Sequence, residues 1–451
     1  MAQWPPNSGV FDLSSDEVTS APIHRVLALL SVPLVAQNVV EVASIVVDLF
    51  WIGRLGGRAV AAVGLAAPLF SLLLILTIGV PYIGTMILVS QRVGDGDEAG
   101  ARRAAFNGVV LGAVLSLAIG GAAVVAAPAL VALLVELRPG PTSATVAAMT
   151  VRYLRILAVG LVFASVSDAI EGAFVARGDS RAALAVSVAT VGTILVADPL
   201  LIFGFGPVPG LGLPGAAVAS VLGFVAGLLV ALWFVYTGRA GRVLTWATAT
   251  VRLEELRELR RTGLSPTAQQ ANRRVAEVVV VAIVFAVGGP AALAAYTVGT
   301  RVFSAASIPA QGFQSAAQSV VGQNLGAGES LRAARAVRVG VAILGVGLAA
   351  LAAVQWLFAA AFVALLAPGI DGPAHDLAVR FLRLLAVSYP LYGAMYVIQG
   401  GFNGASRGEV SFRSSLVQFW GVQIPVAGVV AIGTDLGAVG VFGAVAASYM
   451  L

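Results

Sequence analysis

The sequence is poor in the residues that most soluble enzymes rely on. It has no cysteine, which excludes disulfides and thiolate chemistry, and it has only two histidines, His24 and His375, at predicted helix ends. No histidine cluster for catalysis or metal binding is therefore expected, and no cofactor. Lysine is absent as well, and all 27 residues of the Lys and Arg types are therefore arginines. No basic patch is interleaved with aromatic residues, so nucleic-acid binding is not expected either.

Charge of either sign is scarce, and apolar residues are abundant. Charged residues make up 11% of the 451 positions and hydrophobic residues 59%, whereas soluble domains carry roughly 25% charged residues. A bilayer accepts so much apolar surface, but water does not. The apolar runs recur to the end of the chain, which excludes a single anchor or a signal peptide as their cause. The composition thus predicts an all-α, multi-pass protein of a cell membrane.

A helix needs about 20 apolar residues to cross the hydrocarbon core. Runs of this kind, separated by Gly, Pro and Arg, predict twelve membrane helices at 24–53, 59–90, 99–135, 145–176, 180–205, 212–236, 264–288, 291–321, 330–366, 373–404, 409–433 and 437–451. The last run is short, so the final helix is expected to be truncated.

The distribution of arginine predicts the orientation. With a cytoplasmic N-terminus, sixteen arginines fall in inner connections and seven in outer ones. Because cytoplasmic loops are enriched in Lys and Arg, we expect both termini inside, with residues 1–22 as a cytoplasmic tail.

One long polar connection, 238–263, divides the chain into an N-lobe (23–237) and a C-lobe (264–451). Leu253, Leu256 and Leu259 recur at helical spacing among charged residues. This pattern indicates an amphipathic helix on the inner membrane surface. An ordinary solvated linker is the alternative.

The two halves repeat each other. Residues 36–38, 56–57 and 91–96 recur as 268–270, 288–289 and 323–328 at an offset of 232, and residues 171–174 and 215–220 recur as 399–402 and 443–448 at an offset of 228. Each half holds six predicted helices, so the halves have the same orientation in the membrane and an axis along its normal. Folds of this kind bind substrate between the halves and give alternating access by rocking.

Acidic residues inside the predicted spans are the clearest functional signal. A charged side chain at the bilayer centre costs about 2.5–3.5 kcal/mol on insertion scales, so it needs a reason. Away from the ends of the spans there are six carboxylates, all but the last in the first half: Glu41, Asp48, Asp168, Glu171, Asp198 and Glu277. Glu41 and Asp48 share one helix face, as do Asp168 and Glu171. Carboxylates gathered in a poorly solvated lobe would titrate together and carry a coupling proton.

Two plain alternatives apply to these acids. Some of them could lie in water near helix ends, Glu41 above all. Glu277 follows Arg273 and Arg274 by four and three residues, where a structural ion pair is natural.

Two prolines are candidates for conformational hinges. Pro33 and Pro199 each free a backbone carbonyl, at Leu29 and Leu195, and Pro199 directly follows Asp198. We expect a bend at Pro33 that is coupled to protonation of Asp48, with a static kink as the alternative.

Polar and aromatic residues inside the spans are candidates for the wall of a substrate cavity, where aromatic rings near carboxylates would suit organic cations. Each of them alone is more often a helix–helix contact. The candidates are Gln37, Asn38, Tyr296, Gln311, Gln314, Gln318 and Tyr392.

From residue 22 to the end, the sequence resembles the multidrug and toxic compound extrusion (MATE) family. The stretches that carry this resemblance are 47–56, 198–204, 294–296 and 322–328. Pro33 together with Asp48 is similar to the DinF-like branch. The resemblance implies two six-helix lobes in a V shape and an antiporter in which protons or sodium ions drive export of cationic, amphipathic compounds.

The resemblance also implies functional residues. Asp48 and Asp198 match the family's first- and fifth-helix aspartates, and a sodium ion would bind there. Asp168 and Glu171 fall where the family often has amides, and Ser220 falls where a threonine assists. Where the family commonly has asparagine, one turn before Asp198, the chain has Ile194. This departure tilts the expectation from sodium towards protons.

The sequence therefore predicts a monomeric antiporter for small organic cations, with no enzymatic activity. The alternative is a lipid-linked saccharide flippase of the same superfamily. A flippase should have a strongly cationic cavity for pyrophosphate, and the acids of the first half argue against one.

Overall fold

The structure, a computed structural model, describes residues 15–137, 144–206, 209–366, 372–434 and 436–450. Within these ranges the chain is almost entirely helical. The helices are α1 (Ser15–Ser20), α2 (Ile23–Gly53), α3 (Gly57–Gly94), α4 (Glu98–Leu137), α5 (Ala144–Ala176), α6 (Ser180–Phe203), α7 (Leu213–Tyr236), α8 (Arg239–Arg242), α9 (Leu253–Gly326), α10 (Ser330–Leu357), α11 (Ala359–Leu366), α12 (Pro373–Gly404), α13 (Gly408–Leu416), α14 (Ile424–Gly433) and α15 (Gly437–Ser448). A π-helical segment, Val417–Gln423, joins α13 to α14.

Long apolar helices agree with the predicted membrane spans. In the described part of the chain, nine helical stretches are long and apolar enough to cross a bilayer. The two arms of α9 and the shorter α15 account for the other three predicted runs. One predicted run, 330–366, is divided, because α10 ends at Leu357 and α11 begins at Ala359.

The longest helix, α9, joins three predicted segments. It starts at Leu253, inside the predicted linker, and continues through the predicted spans 264–288 and 291–321. At Gly289 the backbone leaves helical geometry, with φ 59° and ψ −153°. This conformation is accessible to glycine but not to residues with a Cβ atom. The two arms of α9 therefore meet at a kink that the sequence had indicated only as the doublet 288–289.

The two largest apolar clusters differ in which half supplies most of their residues. The first core centres on α2 to α7 and includes Phe174 and Leu30, both fully buried. The second core centres on α9, α10, α12 and α15 and is rich in aromatic rings, including Phe381, Phe442 and Tyr389. The first cluster also includes Ala316 and Val320 of α9 and Ala336 of α10, so it extends across the boundary between the halves.

The halves pack tightly at the end that carries the arginine-rich connections. A Cβ atom on Gly94 of α3 would lie 2.0 Å from the carbonyl oxygen of Gln323, and one on Gly326 of α9 would lie 2.0 Å from that of Gln91. Gln91 also donates a hydrogen bond from Nε2 to the carbonyl of Gly404, at 2.8 Å. The repeated motifs 91–96 and 323–328 are thus among the places where the two backbones touch.

Only part of the predicted N-terminal tail lies in the described residues. Residues 1–14 are outside them, and most of the remainder forms α1, Ser15–Ser20. Val18 of α1 is fully buried, and Arg332 of α10 donates hydrogen bonds to the carbonyls of Val18 and Ala21. The first short helix is therefore attached to the second half of the chain.

Candidate functional site

A cavity of about 710 Å³ lies between the two halves. Residues of α2, α3, α5 and α6 line it on one side, and residues of α9, α12 and the α13–α14 region line it on the other. A cavity of this size holds a drug-sized molecule.

Three carboxylates and an amide form one wall of this cavity, here called the acidic wall. Gln37 of α2 donates from Nε2 to Glu171 at 2.9 Å and to Glu41 at 3.2 Å. Asp168, one turn before Glu171 on α5, lies within electrostatic reach of both glutamates. Ser187 of α6 donates its hydroxyl to Glu41 at 3.3 Å. The acidic wall therefore joins three helices of the first half.

Asp48 and Asp198 form a separate group, here called the acid pair. Asp48 of α2 and Asp198 of α6 lie within electrostatic reach of each other. Asp198 is fully buried, and neither of its two oxygens, nor Oδ1 of Asp48, has a hydrogen-bond partner among the described residues. Tyr153 of α5 is their nearby polar neighbour. Neither aspartate belongs to the cavity lining, so the pair lies inside the first half rather than on the substrate-sized space.

The register of α6 against α7 places Ser220 at the level of the acid pair. A Cβ atom on Gly223 would contact Ile194, and one on Gly215 would contact the carbonyl of Leu201. Ser220 lies between these two contacts and donates its hydroxyl to the carbonyl of Ala216 at 3.1 Å. Its oxygen can therefore still accept a hydrogen bond or a cation.

From the sequence, Glu41 and Asp48 were expected on one helix face, and the acids were expected to form one cluster. The structure divides them into two groups. Glu41 joins Asp168 and Glu171 on the cavity wall, whereas Asp48 joins Asp198 in the interior. The two helical turns between Glu41 and Asp48 are enough for them to face different neighbours.

Most of the predicted cavity residues line the cavity, and one does not. Those on the wall are Gln37, Asn38, Gln311, Gln314, Gln318 and Tyr392. Tyr296 was expected there, and the structure corrects this. It is 94% buried, because its exposure is 6%, and it stacks on Phe381 at 5.5 Å and on Phe442 at 6.4 Å between ring centroids. Tyr296 belongs to the aromatic core of the second half.

The second half contributes a wall that the sequence did not predict, here called the arginine wall. Arg273 and Arg274 of α9 both line the cavity. Glu277 lies 3.4 Å from Nε of Arg273 and 3.1 Å from Nη1 of Arg274, which confirms the expected ion pairs. Arg273 also donates to the hydroxyl of Tyr396. In the sequence, pairing with Glu277 on the same helix was a sufficient reason for both arginines. Nothing else in the sequence indicated that they line a cavity.

Both predicted hinge prolines lie inside continuous helices, Pro33 in α2 and Pro199 in α6. Pro33 is buried, and the amide of Asn38 donates to the carbonyl of Leu34 at 2.9 Å, one turn later. A protonation-linked bend at Pro33 stays a prediction.

In the described chain, no group of three or more His, Asp or Glu residues is arranged to hold a metal ion.

The family model described as MatE matches residues 33–200 and 270–429. The "Probable multidrug resistance protein NorM" of Deinococcus radiodurans is 28% identical over 434 residues, which cover 95% of this chain and 93% of the relative. The "Probable multidrug resistance protein YoeA" of Bacillus subtilis is 27% identical and covers 95% and 92%.

Solved structures agree in fold. An outward-facing multidrug resistance MATE family transporter of the MOP superfamily has a TM-score of 0.87 at 23% identity, with 99% of this chain and 96% of that chain covered. A MATE transporter in complex with MaL6 has a TM-score of 0.88 at 23% identity, with 98% and 95% covered. Both similarities include the two-lobe arrangement.

Proposed function

The chain belongs to the MatE family, and from this premise we propose that it is a cation-coupled antiporter that exports small cationic or amphipathic compounds by alternating access. As a family member it is a multi-pass membrane transporter and not an enzyme. The proposal adds the coupling, the direction and the class of substrate.

The observation that carries the proposal is the acid pair. Asp198 is fully buried, and its two oxygens have no hydrogen-bond partner among the described residues. An unpaired carboxylate in an apolar interior is costly as an anion. Two of them side by side are costlier still, because like charges repel. A bound cation removes this cost, so the buried state of the pair favours a cation that the opened state can release.

A proton fits this pair better than sodium does. Sodium, as a hard cation, needs several oxygen ligands. Ile194, one turn before Asp198, packs its apolar side chain against α7 and supplies no oxygen. Two carboxylates can share a proton without further ligands.

The shape of the cavity supports alternating access. The halves are in close backbone contact at Gly94 and Gly326, at the arginine-rich end, and the cavity is bounded by both halves. If arginine-rich connections face the cytoplasm, the structure is closed towards the cytoplasm and both termini are inside. The acidic wall would attract organic cations into the cavity.

Proteoliposomes with an acidic lumen test whether transport is coupled to protons. Ethidium is a suitable probe, because its permanent charge prevents trapping by pH alone. Protons that leave the lumen should drive ethidium inwards, with the membrane potential clamped. We expect Asp198→Asn and Asp48→Asn to reduce this uptake by about tenfold or more, since a neutral amide cannot exchange a proton. A sodium gradient at equal pH forms the second arm.

Asp376→Asn is the matched control, because the side chain of Asp376 is 78% exposed at the start of α12. This variant should behave as the native protein does. Full pH-driven uptake by Asp198→Asn would contradict the role assigned to the acid pair. Uptake driven by a sodium gradient alone would show that sodium, and not the proton, is the coupling ion.

A further inference from the structure

The cavity carries opposite charges on its two sides. The acidic wall holds Glu41, Asp168 and Glu171, all from the first half. The arginine wall holds Arg273 and Arg274, both from the second half. A purely cationic substrate matches only the first of these surfaces.

The positive charge of the arginine wall is not fully neutralised by its own helix. Among the described residues, Glu277 is the single carboxylate paired with the two guanidinium groups, and it does not line the cavity itself. The side chain of Arg274 is 61% exposed and makes one contact with Glu277, at 3.1 Å. Arg273 is directed towards the hydroxyl of Tyr396, which also lines the cavity. One positive charge therefore remains to face the cavity.

Two buried amides of the second half line the cavity. Gln318 of α9 lines the cavity and is 3% exposed, yet its Nε2 donor has no hydrogen-bond partner among the described residues. Asn403 of α12 is also 3% exposed and on the wall, and its Oδ1 acceptor is likewise without a partner there. A buried polar atom without a partner costs about 1–3 kcal/mol, so a bound molecule that completes these bonds gains affinity.

We propose that the preferred cargo of this cavity is zwitterionic, with a cationic group that contacts the acidic wall and a carboxylate or similar anionic group that contacts the arginine wall. A lone cation leaves Arg274 and the donor of Gln318 unmatched. A lone anion meets the three carboxylates of the opposite wall. A molecule with both charges matches both walls at once, because charge complementarity excludes wrong partners as well as attracting the right one. The inference rests on the proposed export function and specifies its substrate class.

Two dyes that differ by one methyl ester test this pairing. Rhodamine 110 carries a cationic ring system and a free carboxylate, whereas rhodamine 123 is its methyl ester and carries the cation alone. Equilibrium dialysis against the purified full-length protein in detergent, with empty micelles subtracted, gives both affinities. We expect rhodamine 110 to bind about tenfold more tightly, as one charge-assisted contact allows.

Variants on the two walls should separate the two charges. Arg274→Gln should reduce the affinity for rhodamine 110 to that for rhodamine 123 and leave rhodamine 123 unchanged. Glu171→Gln should weaken both dyes. Arg413→Gln is the matched control, because Arg413 is 79% exposed and does not line the cavity, and it should change neither affinity.

Equal or tighter binding of rhodamine 123 to the native protein overturns the inference, as does an equal loss of both dyes in Arg274→Gln. Binding of neither dye overturns it as well. Uptake of ethidium in proteoliposomes then decides separately about the export function, since ethidium carries no anionic group. If ethidium is taken up but rhodamine 110 is not preferred, the proposed antiport of cations stands and the zwitterionic substrate class is wrong.

Discussion

In the proposed mechanism, Ile194 determines whether the acid pair binds a proton or a sodium ion. It stands one helical turn before Asp198, is buried, and would contact a Cβ atom on Gly223 of α7. Replacing it with asparagine adds a neutral oxygen beside the two carboxylates and Ser220. We expect Ile194→Asn to give uptake of ethidium that a sodium gradient stimulates severalfold at constant pH, because oxygen ligands are what a hard cation lacks there.

Ile194→Leu is the control for this change, since it keeps the site apolar and nearly equal in volume. It should show no stimulation by sodium. A native protein that responds to sodium as strongly as Ile194→Asn does would show that the isoleucine is no barrier to sodium.

Individual side chains also show how far sequence reasoning reaches at this scale. Asp48 and Asp198 could be singled out because a carboxylate in a membrane span is costly and therefore rare. Tyr296 could not be assigned correctly, because an aromatic residue in a span is equally compatible with a cavity wall and with a core. Only the positions of Phe381 and Phe442, distant in sequence, place it in the core.

Among the helices, α9 differs most from its prediction. Its first turns were expected to lie on the membrane surface as part of a linker. In the structure they pack against α3, so closely that a Cβ atom on Gly84 would lie 2.6 Å from the carbonyl of Leu259. Arg92 of α3 contacts Glu255 at 2.7 Å and Glu258 at 2.8 Å. The start of the second half is thus attached to the first.

Glu255 is the centre of that attachment. It is 7% exposed and also lies 3.8 Å from Arg103 of α4. Removal of one partner from a buried ion pair leaves an uncompensated charge and costs about 3 kcal/mol. We expect Glu255→Gln to lower the unfolding temperature of the purified protein by several degrees, as measured by tryptophan fluorescence.

Glu409→Gln provides the comparison for this change. Glu409 and its partner Arg413 are 66% and 79% exposed and 3.8 Å apart, and exposed pairs contribute about 0–1 kcal/mol. Its unfolding temperature should stay at the native value. Equal effects of the two substitutions would mean that the contact with α3 does not hold the start of α9.

The helices themselves were largely predictable, because length and apolarity are direct requirements of the bilayer. The predicted run 180–205 corresponds to Ser180–Phe203, and 373–404 corresponds to Pro373–Gly404. The continuity of α9 was not predictable. Polar residues 253–263 have the composition of a linker, and their helical docking depends on Arg92 and Arg103 of other helices.

At the scale of the whole molecule, the backbone pattern repeats in both halves, but the acidic residues of the site do not. The repeated glycines Gly96 and Gly328 have nearly equal φ angles, 78° and 79°, so the backbone pattern is the same in both halves. The acid pair and the acidic wall occur in the first half alone, and the arginine wall occurs in the second. A fold with internal symmetry thus encloses a cavity without symmetry of charge.

The orientation of the whole molecule can be tested because the chain contains no cysteine. Ser71 lines the cavity on α3 and is exposed, and Ser330 is exposed at the start of α10, beside the arginine-rich connection. The bias of arginine predicts that the second position faces the cytoplasm, and the close packing at Gly94 and Gly326 closes the cavity on that same side. In intact cells, a membrane-impermeant maleimide should therefore label Ser71→Cys, and it should label Ser330→Cys only after permeabilisation. Labelling of Ser330→Cys in intact cells would show that the arginine-rich connections face outwards. The cavity would then be closed towards the outside, and the proposed direction of export would lose this support.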